Sequence, residues 1–272
     1  MSGPTRYRAL LSYVGTHFSG WQIQKNAPRT VQAVLEEALG RFARGTVRAQ
    51  AAGRTDAGVH ADGQVVHFDL PQAFDPGRVR DGVNALLPWD AKLLAVQCAG
   101  PDFHSRRDAA WKEYLYRWSR ACVIPPREAL FVAPIASRAD AGRMRGAAQV
   151  LVGRRDFSVF GVQRPRDQAL RTLHAIAVEE VAQEIRVLVR GDAFLRGMVR
   201  TICGVLADIG RGKAPADRLA KLLETSDRSL LAPKAPACGL TLVRVHYEEP
   251  DAPLPIHRPI PSVKPGSGGR NG

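Results

Sequence analysis

Apolar and polar positions alternate along this chain in a way that predicts two successive sets of strands and helices. In the first set, Thr30 is predicted to cap a helix whose apolar residues recur every three or four positions, as on one face of an amphipathic helix. At 63–70, Val66, Phe68 and Leu70 alternate with polar residues, which is typical of a half-buried strand. The other elements predicted here are strands at 6–15, 46–52 and 91–98, a turn at 15–20 and a short helix at 76–86.

The second set begins with a strand at 110–119, which has Lys112, Tyr114, Tyr116 and Trp118 on one face. The other elements predicted in it are strands at 172–182, 184–190 and 240–247 and helices at 138–151, 193–209 and 215–224. Two strand-and-helix sets of similar size indicate an α+β protein of two units.

These patterns divide the chain into three parts. We place an N-terminal α+β half at 1–104 and a C-terminal α+β half at 105–249. Residues 250–272 hold six prolines and four glycines among few apolar residues, so we expect a disordered tail there.

The balance of charged residues indicates what kind of molecule the protein binds. Lys and Arg number 39 against 26 for Asp and Glu, the net charge is +13, and only seven of the basic residues are lysines. Arginine pairs bidentately with phosphate and stacks on bases, so this excess favours a nucleic-acid partner. A GC-rich genome would also enrich arginine, and membrane surfaces attract basic proteins as well.

The cysteines and the apolar runs indicate where in the cell the protein is expected. Cys98, Cys122, Cys203 and Cys238 form no CxxC pair and have apolar or small neighbours, which predicts buried free thiols rather than disulfides or a zinc site. The first residues lack an apolar signal core, and no apolar run is long enough to span a membrane. We therefore expect a soluble cytoplasmic protein without membrane contact.

One carboxylate lies in a segment of distinctive composition, Gly53-Arg54-Thr55-Asp56-Ala57-Gly58. Strand-like runs precede and follow it, so Asp56 is predicted to lie in a tight connection between two strands. Glycines allow sharp turns and close approach to a ligand, and such a loop can present a reactive group. On this segment alone, Asp56 is also compatible with a side chain that caps a turn.

Several motifs, in chain order, resemble those of the tRNA pseudouridine synthase A family. The Asp56 segment is similar to the family signature, and Met198-Val199-Arg200 resembles part of its core helix. Other segments that resemble family motifs are 13–16, 18–22, 30–32, 103–106, 112–116, 153–160 and 235–240. The resemblance covers roughly 6–248, with two small departures: Lys112 stands where the family often has arginine, and Ser105 replaces a common alanine.

The resemblance implies a fold and an assembly. Family members have two ferredoxin-like halves, similar to RNA-recognition motifs, whose sheets join into one mainly antiparallel central sheet. Helices would then cover one side of the sheet, and a basic cleft for tRNA would lie on the other. The family works as a homodimer, so a homodimer is expected here by resemblance only.

The implied activity is the isomerisation of uridine to pseudouridine at tRNA positions 38, 39 and 40, in the anticodon arm. This reaction breaks a C–N glycosidic bond and rejoins the uracil through C5 without redox change. No cofactor and no metal are therefore expected, and the sequence contains no nucleotide-binding motif or cluster of His and Cys residues.

The resemblance also implies roles for individual residues. Asp56 and Arg200 are the expected catalytic residues: Asp56 acts as an ionised acid, and the Arg200 guanidinium favours its charged form. Whether Asp56 attacks C1′, adds to the base or removes the C2′ proton stays open. For substrate binding, Tyr114 would stack on the extruded uracil or relay a proton, Arg54 would face the nucleic acid, and Leu240 would pack against the base.

Each role has a structural alternative. Tyr114 can be an ordinary cross-strand aromatic, and Arg200 can form a structural ion pair. For His60, hydrogen bonding within the loop is favoured over a role as general base. Arg196, predicted one helical turn before Arg200, is left open between phosphate contact and solvent.

Two other function classes suit a basic chain. A non-catalytic RNA-binding or tRNA-remodelling protein on the same scaffold would be expected to lack the acid at Asp56. A metal-dependent RNA hydrolase needs several converging carboxylates or histidines, whereas this segment offers one acid between glycines. The sequence therefore favours the isomerase.

Overall fold

A computed structural model describes residues 3–27, 29–162 and 169–248 of the chain. The tail predicted at 250–272 lies outside these residues. The strands are β1 (Thr5–Tyr13), β2 (Ala49–Ala51), β3 (His60–Leu70), β4 (Ala91–Cys98), β5 (Ala109–Ser119), β6 (Ala133–Pro134), β7 (Gly153–Asp156), β8 (Leu170–Val181), β9 (Glu184–Gly191) and β10 (Leu240–Tyr247). The α-helices are α1 (Val31–Ala43), α2 (Pro76–Leu86), α3 (Pro126–Ala129), α4 (Ala141–Ala148), α5 (Met198–Gly210) and α6 (Arg218–Thr225). Short 3-10 helices lie at Gly15–His17, Gln149–Leu151, Ser158–Phe160, Arg228–Leu230 and Ala237–Gly239.

The strands form one large sheet in the order β4-β1-β3-β10-β5-β9-β8-β7, with β2 added beside β3 and β6 beside β5. Neighbouring strands run antiparallel except in the pairs β3–β10 and β5–β6. The predicted α+β class and the single, mainly antiparallel sheet are thus confirmed.

The parallel pair β3–β10 joins the strands of the two predicted halves. Thr241 of β10 lies opposite His60 of β3 on one side and opposite Leu115 of β5 on the other. The next residue of β10, Leu242, lies opposite Tyr114. The start of β3, and the loop that precedes it, are therefore brought next to β5. The division at 104/105 stays a prediction, because buried residues of both halves belong to one continuous apolar core.

Local sequence signals set the helix starts as expected. The Thr30 hydroxyl accepts a hydrogen bond from the Ala33 amide (3.3 Å), and α1 begins at the next residue, Val31. Asp75 caps α2 in the same way by accepting from the Arg78 amide (2.9 Å). The stripe of α1 is buried at Val31, Leu35, Ala38 and Leu39, which face the sheet core.

The helix predicted at 193–209 begins later, at Met198. Gly197 precedes it with φ of 76°, a left-handed conformation that ends any helical run before it. Phe194 and Arg196 consequently lie in a loop between β9 and α5.

Burial differs from expectation at two other places. His67 of β3 is only 4 % exposed, since Ser105 and the His104 ring cover the face that was predicted to be open. Cys98 and Cys122 are exposed, whereas Cys203 is buried as predicted; all four cysteines are free. Within the described ranges, no helix combines the length and the apolar character needed to cross a membrane.

Candidate active site

The loop that carries Asp56 connects β2 to β3, and its beginning is held by β3. The Gly53 amide donates to Oε1 of Gln64 (3.3 Å), and Nε2 of Gln64 donates to the Gly53 carbonyl (2.7 Å). Gln64 is fully buried, so these bonds are shielded from water. The entry to the loop is therefore fixed to the strand that follows it.

The turn after β1 holds the middle and the end of the loop. The Trp21 amide donates to the Thr55 carbonyl (3.1 Å), and the Gly58 amide donates to the Phe18 carbonyl (3.2 Å). Gly20 has φ of 89°, and a Cβ atom there would lie 2.7 Å from the Thr55 carbonyl oxygen. Only glycine allows this approach, which explains the glycine between Ser19 and Trp21.

Tyr13 fixes the side chain next to Asp56. Its hydroxyl shares a buried hydrogen bond of 2.8 Å with the Thr55 hydroxyl. Burial raises the pKa of Tyr13 to about 12, so this hydroxyl is neutral at physiological pH. This uncharged pair fixes the residue that precedes Asp56.

His60 closes the loop by a hydrogen bond, as predicted. Its Nδ1 accepts from the Gly15 amide (3.0 Å). Burial lowers the pKa of His60, which keeps the ring neutral and leaves Nδ1 free to accept. This contact gives His60 a structural partner in the turn after β1.

Two guanidinium groups face the Asp56 carboxylate. Nη1 of Arg200 lies 3.3 Å from Oδ2, and Nε of Arg196 lies 3.6 Å from Oδ1. The Asp56 and Arg200 side chains are 22 % and 19 % exposed, whereas Arg196 is 76 % exposed. The predicted Arg200–Asp56 contact is thus present. Arg196, which the sequence left open, reaches the same carboxylate from the loop before α5 rather than from a helical turn.

A backbone segment before β10 holds Arg200 in place. Nε of Arg200 donates to the Ala235 carbonyl (2.9 Å), and the Ala235 amide donates to the Arg200 carbonyl (3.0 Å). Gly204 lies one turn further along α5, where a Cβ atom would be 2.2 Å from the Pro233 carbonyl oxygen. Close packing at Gly204 therefore sets the distance between α5 and this segment.

Tyr114 lies on β5 beside the start of the loop. A Cβ atom on Gly53 would be 3.7 Å from the Tyr114 hydroxyl, and the Phe194 ring meets the Tyr114 ring edge-on with centroids 5.1 Å apart. Burial, together with the nearby Tyr13 and the negative charge of Asp56, raises the pKa of Tyr114. Its hydroxyl is therefore protonated and can donate a hydrogen bond.

The two remaining predicted residues differ in exposure. Arg54 is exposed on the loop, and the described residues give it no salt bridge. Leu240 is 5 % exposed at the first position of β10, opposite Tyr116 rather than Tyr114. Arg54 is accessible to a ligand, whereas only a small part of the Leu240 side chain is.

Lys112 is a buried cation beside the loop. It is 6 % exposed, its aliphatic chain runs past Gly53, and its ammonium donates to the Asp192 carbonyl at 3.5 Å. Burial lowers the pKa of Lys112 to about 8. It links the loop entry to the connection between β9 and α5, and hence to Phe194 and Arg196.

Sequence reasoning missed the supporting residues Tyr13, Gln64 and Phe194. Tyr13 and Gln64 act by holding the Asp56 loop from β1 and β3, and such contacts leave no local pattern in the sequence. Phe194 lies in the segment 193–209 that the sequence predicts as one helix, and that prediction gives no reason to expect its ring against Tyr114.

A comparison with known protein families matches residues 9–106 and 147–248 to the family described as tRNA pseudouridine synthase. The matched segments include the Asp56 loop, Arg196 and Arg200. The chain belongs to the tRNA pseudouridine synthase family.

Curated members of the tRNA pseudouridine synthase family match over nearly their full length. The tRNA pseudouridine synthase A of Chlamydia muridarum is 42 % identical over 244 residues, which cover 88 % of this chain and 91 % of that protein. The proteins of the same name from Methylobacterium nodulans and Listeria innocua are 42 % and 40 % identical, and the matches cover 96 % and 100 % of those proteins.

Proposed function

We propose that this protein isomerises uridine to pseudouridine in tRNA. The observation that carries the proposal is one carboxylate, Asp56, in a loop fixed from several sides and faced by two guanidinium groups at 3.3 and 3.6 Å. The names of its relatives, tRNA pseudouridine synthase A, give the same reaction for proteins that match most of the chain.

The target is a uridine at tRNA position 38, 39 or 40, in the anticodon arm. Support comes from the family resemblance of the motifs around Asp56 and Arg200. The exposed cations Arg54 and Arg196 border the carboxylate, where they suit the phosphates that flank an extruded nucleotide. Extrusion from a stem costs a few kcal/mol, which such contacts offset.

The chemistry needs no group from outside the chain. Asp56 is the acid that acts on the ribose or the base while the uracil is detached and rejoined through C5. Arg200 orients the carboxylate, since its own position is fixed by the Ala235 carbonyl. Tyr114 presents an aromatic ring and a protonated hydroxyl to the uracil, and Leu240 packs beneath the base.

Two further parts of the proposal concern the cell and the assembly. The protein acts in the cytoplasm, where its tRNA substrate is, and it acts as a homodimer. The homodimer rests on the family resemblance, and a measured molar mass in solution tests it.

The decisive experiment maps pseudouridine in tRNA incubated with the wild-type protein and with Asp56→Asn. Asparagine keeps the size of the side chain but removes the negative charge, and its single acceptor oxygen can serve only one of the two arginines. We expect the wild type to form pseudouridine at positions 38 to 40 and the variant to form none.

Binding separates chemistry from folding in this experiment. The Kd of Asp56→Asn for the same tRNA should stay within about threefold of the wild-type value, because the phosphate-facing cations are unchanged. Turnover by the variant near the wild-type rate would refute the role of Asp56. Absence of pseudouridine from the wild-type reaction would refute the proposed function itself.

A further inference from the structure

A shallow groove of about 390 Å³ lies away from Asp56, near the C-terminal end of α5. Its floor is formed by Pro134, the last residue of β6, and by Ile135 and Ala136, which follow it. Its rim carries three cations, Arg138, Arg211 and Lys213. An apolar floor with a cationic rim suits a ligand that places a carbon-rich part, such as a sugar ring, beside a negatively charged group.

Backbone hydrogen bonds hold the first wall of the groove. The Ile135 amide donates to the Ser119 carbonyl at the end of β5 (2.8 Å). The Asp140 amide donates to the Gly210 carbonyl at the end of α5 (2.9 Å). The segment 134–140 is therefore tied both to the sheet and to the helix.

The second wall is the C-terminal cap of α5. The Gly212 amide donates to the Ile209 carbonyl (3.1 Å) and the Lys213 amide to the Asp208 carbonyl (2.8 Å), with Gly212 at φ of 74°. This is the Schellman arrangement, in which a left-handed glycine ends the helix and fixes the residue after it. The backbones that carry Arg211 and Lys213 are thus preorganised, which lowers the entropy cost of binding.

The cations of the groove are available for a ligand. Among the described residues, Arg138 and Lys213 form no salt bridge and no side-chain hydrogen bond, and both are exposed. Arg143 is also exposed, and its Nη1 would lie 3.6 Å from a Cβ atom on Gly212, so it adds a further positive charge next to the groove. The Arg211 guanidinium has a weak ion pair with Asp208 at 3.6 Å and lies over the Trp118 ring. These two contacts fix its orientation.

Helix α5 connects the groove to the candidate active site. Arg200 near its start touches Asp56, and Arg211 follows its end, so the two lie about 16 Å apart along the helix axis. Along an A-form RNA stem this distance spans several base pairs, so the groove lies well beyond the nucleotide next to Asp56.

We propose that this groove binds the ribose-phosphate backbone of the tRNA at a point remote from the target uridine. The inference rests on the proposed function, since it concerns the same tRNA. Arg138, Arg143 and Lys213 contact phosphate oxygens, and the apolar floor contacts the ribose between them. Such contacts fix the register of the tRNA on the protein but do not read its sequence.

The test uses the double variant Arg138→Gln, Lys213→Gln, which spares Arg211 and its packing on Trp118. The matched control is Arg41→Gln, Arg78→Gln, which removes the same charge from exposed positions of α1 and α2. The Kd for full-length tRNA is measured for each protein over a series of salt concentrations. Turnover is also measured on a G·C-rich hairpin that contains the target uridine and whose stem ends about two base pairs beyond it, short of the groove.

We expect the groove variant to raise the Kd for full-length tRNA about tenfold and to make the log–log salt dependence shallower by about two. Its kcat on saturating tRNA and its turnover of the hairpin should match the wild type. The control variant should change the Kd by less than about threefold, because it alters only the net charge of the protein and no contact in the groove.

Three results would overturn the proposal: an unchanged Kd and salt slope, an equal loss of hairpin turnover, or an equal weakening by the control variant. Failure of the proposed function can be told apart from failure of the groove proposal. In the first case the wild-type reaction would contain no pseudouridine, and the Kd series would still test the groove.

Discussion

Nη1 of Arg200 lies 3.3 Å from Oδ2 of Asp56, although 144 positions separate the two residues in the chain. Both groups are partly shielded from solvent, at 19 % and 22 % exposure, so the attraction between them is screened less than at an open surface. Arg200 is itself held by the Ala235 carbonyl at 2.9 Å. Because Arg200 is held in place independently of Asp56, the contact orients the Asp56 carboxylate.

This contact predicts the effect of replacing Arg200. Arg200→Met should lower the rate of pseudouridine formation by about 10- to 100-fold, the range for losing a charge-assisted hydrogen bond. The rate is measured in single-turnover reactions with the enzyme in excess. Arg200→Lys should recover part of the rate, since an ammonium keeps the charge but not the double contact with Asp56 and Ala235.

Arg196→Met is the matched control for Arg200→Met. Arg196 faces the same carboxylate but is 76 % exposed, so its ion pair contributes little to holding Asp56. We expect it to weaken tRNA binding more than it slows the single-turnover rate. An equal rate loss in the two variants would contradict the distinct role given to Arg200.

Much of the site was predictable because its residues lie in contiguous motifs. The Asp56 loop, the strand with Tyr114 and the helix with Arg200 each have a local pattern, and the family resemblance connects them. The pairing of β10 between β3 and β5 was not predictable, because strands that are distant in sequence leave no local mark of their partner. Yet this pairing is what brings the loop next to Tyr114.

The start of α5 shows a second limit. A glycine inside an apolar helical pattern looks the same whether it continues the helix or adopts a left-handed conformation. Gly197 adopts the latter, so the helix predicted at 193–209 begins at Met198. Arg196 contacts Asp56 from this loop. A helix that began at 193 would place Arg196 differently.

Tyr114 is predicted to act through its hydroxyl as well as its ring. Because its pKa is raised, the hydroxyl can donate a hydrogen bond to the uracil at neutral pH but cannot act as a pre-ionised base. Tyr114→Phe should lower kcat about 100-fold and change the tRNA Kd by less than about threefold, since the ring is retained. A variant within twofold of the wild-type kcat would reduce Tyr114 to a packing role.

Gly204 is predicted to control the position of Arg200. In Gly204→Ala the added methyl group would meet the Pro233 carbonyl, so α5 must shift away from the segment that holds Arg200. We expect a loss of about 1–3 kcal/mol in the free energy of unfolding, together with slower turnover. The control Gly146→Ala lies in α4 with nothing within 4 Å, and should be neutral or stabilising. Denaturant unfolding of both variants checks this, and equal stabilities would contradict it.

His67 is predicted to make the fold sensitive to mild acid. Its Nδ1 accepts from the Ser105 amide (3.2 Å) and lies 2.9 Å from the Ser105 hydroxyl, and burial, aided by His104 and Arg6, lowers the pKa of His67 to about 4. An unfolded histidine titrates near 6.5, so between these values the unfolded chain binds a proton that the folded protein does not. Stability must therefore fall as the pH drops from about 6.5 towards 4, by about 2 kcal/mol between pH 7 and pH 5 for this group.

The measurement is the free energy of unfolding at pH 7 and at pH 5, for the wild type and for His67→Asn. The amide oxygen of asparagine can replace Nδ1 as the acceptor for Ser105, but the side chain does not titrate. His60 titrates in the same direction in both proteins, since burial lowers its pKa too, and its contribution cancels in the comparison. We expect the pH-dependent loss to be smaller in His67→Asn by about 2 kcal/mol. Equal losses in the two proteins would assign the acid sensitivity to other groups, because only His67 differs between them.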